Sequence, residues 1–128
     1  MILLLAICIV FIFALQSFNG SIIYNVVDQR FYSSVKSVCE NSIMFNDASF
    51  EVYYDKYTLK TKLIATLNKN LRGYIDNYEL FISYYYVDYT PCNYACKNVD
   101  IRLKVDIQWF KQFNKAYLMS IKEGISNE

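Results

Sequence analysis

Four cysteines, a run of tyrosines and a scatter of carboxylates are the side chains of this 128-residue chain with the best claim to chemistry, and the chain has no histidine to work with them. That absence removes histidine-based triads, the usual general base and the commonest metal ligand. Cys8 lies inside an apolar run and reads as a small hydrophobe. Cys39, Cys92 and Cys96 remain, and they permit three alternative single disulfides. Cys92 and Cys96 sit in Pro91-Cys92-Asn93-Tyr94-Ala95-Cys96, a turn-like stretch between two strand patterns. A disulfide there would pin the hairpin; a link from Cys39 to one of the two is the rival. The C-x-x-x-C spacing is not the redox C-x-x-C motif. Without histidine or a second cysteine pair, a zinc site lacks ligands. The expectation is no metal, no cofactor and no catalytic residue.

The other candidates have plainer readings. Asp88, Asp100 and Asp106 could do acid–base work, but Asp100 and Asp106 fall on the wet face of a predicted strand beside Arg102 and Lys104, where solvated cross-strand pairing accounts for them. Tyr84-Tyr85-Tyr86 with Tyr89 could form a binding surface; alternation along a strand would instead send successive rings to core and solvent. Asn19-Gly20-Ser21 matches the glycosylation sequon, yet it lies within or against a predicted membrane segment. No phosphate loop, nucleophile elbow or paired catalytic acids are present. With 13 basic and 12 acidic residues the net charge is +1, which makes no electrostatic case for nucleic acid.

The elements around these residues are unevenly built. Residues 1–27 contain no Asp, Glu, Lys or Arg, and residues 1–15 are apolar without exception. A helix over 2–27 would be about 39 Å long, longer than the roughly 30 Å hydrocarbon core of a bilayer. Three readings compete: an uncleaved anchor, a signal peptide removed near Ser17 or Gly20, and a buried helix of a soluble protein. The signal reading lacks a basic leader and has only Leu15-Gln16-Ser17 as a passable cleavage pattern. The anchor is preferred, which divides the chain into a transmembrane segment 1–27 and an α+β domain 28–128. Arg30 and Lys36, offset by Asp28 and Glu40, slightly favour an internal domain by charge count. A disulfide favours an oxidising compartment. The adopted expectation is a single-pass cell-membrane protein with its C-terminal domain extracytoplasmic.

Val27, Phe31, Val35, Val38 and Cys39 recur at helical spacing, and no Pro or Gly interrupts 21–45. The first helix is therefore expected to run on through about residue 44, with a bend near Asn19-Gly20. Asn46-Asp47-Ala48-Ser49 reads as a turn. Leu59, Leu63, Ile64, Leu67 and Leu71 mark a second helix, capped by Asp55 or Thr58 and followed by Gly73. Residues 78–87 are rich in strand formers. Residues 99–108 alternate Val, Ile and Leu with Asp, Arg, Lys and Gln, the pattern of a half-buried antiparallel strand. Residues 110–115 read as a connection, and 116–121 as either a third strand, the preferred reading, or a closing helix. The expected fold is α+β: a long N-terminal transmembrane helix continuing into an amphipathic one, a second helix, then a small antiparallel sheet of two or three strands.

This layout resembles the type IV pilin-like superfamily and, more narrowly, the TadE-like membrane-anchored minor pilins. The resemblance is carried by residues 1–27, the stripe Val27/Phe31/Val35/Val38, and the strand 99–107 behind the Cys92/Cys96 loop. It is one of layout, without the pilin processing motif: Gly20 is followed by Ser21, and no acid precedes Asp28. The resemblance implies a non-enzymatic structural or assembly protein whose partners are membrane lipid and other pilin-like or assembly subunits, met through the N-terminal helix. The alternative is a small secreted binding module (an adhesin, effector or inhibitor) released by signal cleavage.

Overall fold

The computed structural model describes residues 1–46, 51–93, 95–108 and 110–121. Helix α1 spans Ile2–Asn41, a rod of about 60 Å. A short ribbon follows, β1 (Ile43–Asn46) paired antiparallel with β2 (Glu51–Tyr54). Helix α2 (Lys56–Asn70) then leads into β3 (Glu79–Tyr85), β4 (Asn98–Val105) and β5 (Phe113–Ser120). These three strands form an antiparallel sheet in sequence order, with β4 central. The fold is mixed α+β, as the sequence predicts.

One core joins the layers. From α1 it takes Val27, Phe31, Val35, Val38 and Cys39; from α2, Leu59, Leu63 and Leu67; from the sheet, Val99, Ile101, Leu103, Val105 and Phe113. The β4 alternation is as read: those four apolar residues face inward, while Arg102 is exposed and Asp100 and Lys104 are half-buried. Phe31 and Phe113 meet edge to face, with ring centroids 6.0 Å apart. The Asp55 carboxylate caps α2, accepting from the Thr58 backbone N–H at 3.2 Å and from the Thr58 hydroxyl. Gly73, two residues beyond the helix cap, has φ +87, a conformation open to glycine and costly for other residues. Arg30 of α1 donates to the Asn70 carbonyl at 2.9 Å, and Asn70 Nδ2 donates to Ser34 Oγ at 2.8 Å, so the end of α2 is tied to the middle of α1.

Several boundaries differ from expectation. Helix α1 is one continuous helix through Asn19 and Gly20, and it stops at Asn41 rather than near 44. The Ser42 carbonyl accepts from the Asp55 backbone N–H at 3.1 Å, and Ile43 pairs with Tyr54. Long-range backbone pairing with β2 therefore overrides a helical pattern that nothing local interrupts. The expected turn over 46–49 lies, apart from Asn46, outside the described residues. β5 begins at Phe113, inside the expected connection, because Phe113 pairs with Val105 and is fully buried.

Candidate functional site

Helix α1 presents an extended exposed apolar surface. Residues 2–19 are exposed, apart from half-buried Gln16. The helix contains an 18-residue window of mean hydropathy 2.5, none of it buried, which makes it long and apolar enough to cross a membrane. That window is unburied, which counts against reading this segment as the buried helix of a soluble domain. Full burial in α1 begins at Gly20. A Cβ built there would lie 2.6 Å from Phe110 Cβ and 3.2 Å from the Gln108 carbonyl, so only glycine lets the β4–β5 loop come this close. Residues 20–27, expected to belong to the membrane segment, carry buried Gly20 and Val27 and half-buried Ile23 and Tyr24 against the domain.

One polar contact fastens helix to sheet at this end. Asp28 of α1 accepts from Lys115 Nζ at 2.9 Å and from the Tyr117 hydroxyl at 2.7 Å, both on β5. Burial pushes the Asp28 carboxyl up, but the hydrogen bonds from Lys115 and Tyr117 and the lysine charge outweigh it, holding it below the ordinary carboxylate value. Tyr117 is pushed up to about 12 by burial and by donating to that carboxylate. The ring of Tyr117 also packs on Phe31 and Tyr32, at 5.3 and 5.0 Å between centroids. No local pattern pointed to this contact, since its partners lie 87 and 89 positions apart.

The cysteines divide as the spacing allows. Cys92 and Cys96 are disulfide-bonded, with Cα atoms 5.7 Å apart. Cys39, the rival partner, is free and 3% exposed in the core. Burial, helped by the Glu40 charge, raises its thiol to about 12, so it is an inert packing group. Cys8 is free and exposed on the apolar half of α1. The disulfide loop is tied at the far end of the domain: Tyr54 N–H donates to the Cys96 carbonyl at 2.8 Å, and Cys92 N–H donates to the Tyr84 carbonyl at 3.0 Å. Lys97 Nζ also donates to the Val52 carbonyl, so the β1–β2 ribbon and the loop form one tip.

The carboxylates and tyrosines singled out by sequence do not converge. Asp88 closes a turn, accepting from the Thr90 N–H at 3.1 Å and its hydroxyl at 2.7 Å. Asp106 accepts from Gln112 Nε2 at 3.0 Å. Asp100 lies opposite Ser83 and Leu118, while Arg102 donates to Asn114 Oδ1 at 2.6 Å. The directly opposed charges on this face are Lys104 and Glu79. Cross-strand neighbours on this face are set by the register of the two strands that flank β4. Tyr84 is half-buried with its hydroxyl donating to the Lys56 carbonyl at 3.2 Å, whereas Tyr86 and Tyr89 are exposed. A cleft of about 470 Å³ lies near the β4–β5 loop, lined in part by Ile23, Tyr74, Tyr78, Glu79, Lys104 and Asp106. Among the described residues no group of three or more histidine, cysteine or acidic side chains is placed to hold a metal ion. Comparison with known protein families, curated proteins and solved structures gives no match to this chain.

Proposed function

We propose that this protein is a non-enzymatic, membrane-anchored structural or assembly component, a pilin-like subunit or part of a surface or secretion apparatus. The observation that carries the reading is the two-part α1: an uncovered apolar half that continues, without a break, into a half built into the domain core. Uncovered apolar surface of this extent needs lipid or other apolar helices around it. In this reading the first half sits in the bilayer and bundles laterally with partner helices, and the sheet domain makes contacts on the extracytoplasmic side.

Membrane fractionation with N-terminal sequencing tests the anchor. The expected result is a carbonate-resistant membrane protein that retains Met1. A soluble protein starting near residues 18–21 overturns it. Assembly is read through Cys8, the exposed free thiol on the apolar half. Mild oxidation in membranes is expected to give crosslinked species that Cys8→Ser abolishes; a chain that stays uncrosslinked reduces the reading to a plain anchor.

The second reading, a secreted binding module, has one observation in its favour. The first fully buried residue of α1 is Gly20, so cleavage near Ser17 would remove no fully buried residue. The same fractionation decides between them.

A further inference from the structure

We propose that Phe110 and Lys111, between β4 and β5, make a second membrane contact, with Phe110 seated among the lipid headgroups beside α1 and Lys111 reaching their phosphates. The inference rests on the anchoring reading of α1 and adds a feature which that reading does not require. Three observations lead to it.

The first is level. The close approach of Phe110 to Gly20 places it beside the first fully buried residue of α1. The second is length. Residues 2–19 make about 27 Å of helix, while the hydrocarbon core to be crossed is roughly 30 Å. No helix is left over as a spacer, so whatever packs at Gly20 stands at the membrane surface. A helix free through residue 27 would have lifted the domain clear; the docked one does not.

The third is chemistry. Phe110 is 36% exposed although one side of its ring meets Tyr24, at 5.6 Å between centroids. Lys111 Nζ lies 4.9 Å from the Tyr24 ring centroid and 5.8 Å from that of Phe110. Aromatic rings beside a lysine are the composition that settles at bilayer interfaces. Two carboxylates at this end have other partners, Asp106 in Gln112 and Asp28 in Lys115 and Tyr117.

Trp109, the one tryptophan of the chain, adjoins Phe110 in sequence and reports on the loop without mutation. The full chain is reconstituted into phosphatidylcholine–phosphatidylglycerol vesicles containing lipid brominated either near the headgroup or near the bilayer centre. Flotation is measured on the same samples. The expected result is quenching of Trp109 that is stronger for shallow bromines, and that falls at least about twofold in the Phe110→Ser, Lys111→Glu double variant. Emission that stays unquenched in floating protein overturns the loop contact and leaves the anchor standing. Quenching that the double variant keeps in full overturns the assignment to Phe110 and Lys111. Protein that does not float overturns the anchor and the loop contact together.

Discussion

Residues 2–19 and residues 20–41 belong to one hydrogen-bonded helix, yet they are organised differently. In the first stretch apolar side chains point in every direction and are uncovered. In the second a stripe of them, Val27, Phe31, Val35 and Val38, is buried, while Gln29, Lys36 and Glu40 stay in solvent and Ile22 and Tyr32 are 44% exposed. A stripe is what a single covering surface selects. An all-round apolar surface is what a surrounding medium selects. The difference therefore locates the change of environment within α1 itself, near Gly20, where no break in the helix marks it.

Substitutions that act on one half and spare the other test this contrast most strongly. Phe31→Ala removes a fully buried ring that touches Phe113 and Tyr117, and is expected to cost about 3–5 kcal/mol of domain stability in denaturant unfolding. Membrane partitioning of the surviving folded protein should not change. Ile9→Lys is the converse: a charge near the middle of the apolar half is expected to cost about 2.5–3.5 kcal/mol of insertion, read as loss from the membrane fraction, with the unfolding midpoint of the domain unmoved. If both variants disturb both readouts, the division of α1 is wrong.

Smaller effects sharpen the boundary. Replacing Cys92 and Cys96 together by serine opens a short loop and is expected to cost about 2 kcal/mol by chain entropy, mostly at the tip far from the membrane end. Hydrogen exchange of the β1–β2 ribbon should report it. Gly20→Ala gains helix propensity but drives a Cβ into Phe110 and the Gln108 carbonyl, neither of which is a flexible side-chain end; the expected net loss is about 1 kcal/mol in unfolding.

The Asp28 contact gives the smallest effect and a pH signature. Its carboxyl is lowered in the folded state from 3.8, so its stabilisation is complete above that value and is lost as pH falls through the lower folded value. Lys115 and Asp28 side chains are 41% and 28% exposed, which keeps the contribution to less than about 1 kcal/mol. Asp28→Asn should flatten the acid limb of a stability–pH curve. At the alkaline end Tyr117 acts in the same direction as burial: its stabilisation is lost as pH rises from 10 towards about 12, and Tyr117→Phe should remove that loss.

What could be read without the structure was whatever is periodic or covalent. The β4 alternation, the α2 leucines, the stripe on α1 and the Cys92/Cys96 loop each declare themselves within a few residues. The β1–β2 ribbon did not, because Ile43, Met44 and Phe45 are apolar yet 41, 46 and 55% exposed, so burial imposes no period on them. The Asp28 contact and the seating of Phe110 on Gly20 were hidden for another reason. Each joins α1 to residues more than 80 positions away, and no local pattern encodes which loop will arrive there.

Because α1 is hydrogen-bonded without interruption between its halves, the domain and the apolar segment share one helical phase. Turning the globular part by some angle turns Phe11 and Leu15 by the same angle, so the face offered to neighbouring helices is set by the azimuth of the sheet. One alanine inserted between Asn19 and Gly20 would advance that phase by about 100° and raise the domain by about 1.5 Å. A pull applied at the disulfide tip would likewise travel down a single rod as torque and tension, with no slack joint in which to dissipate.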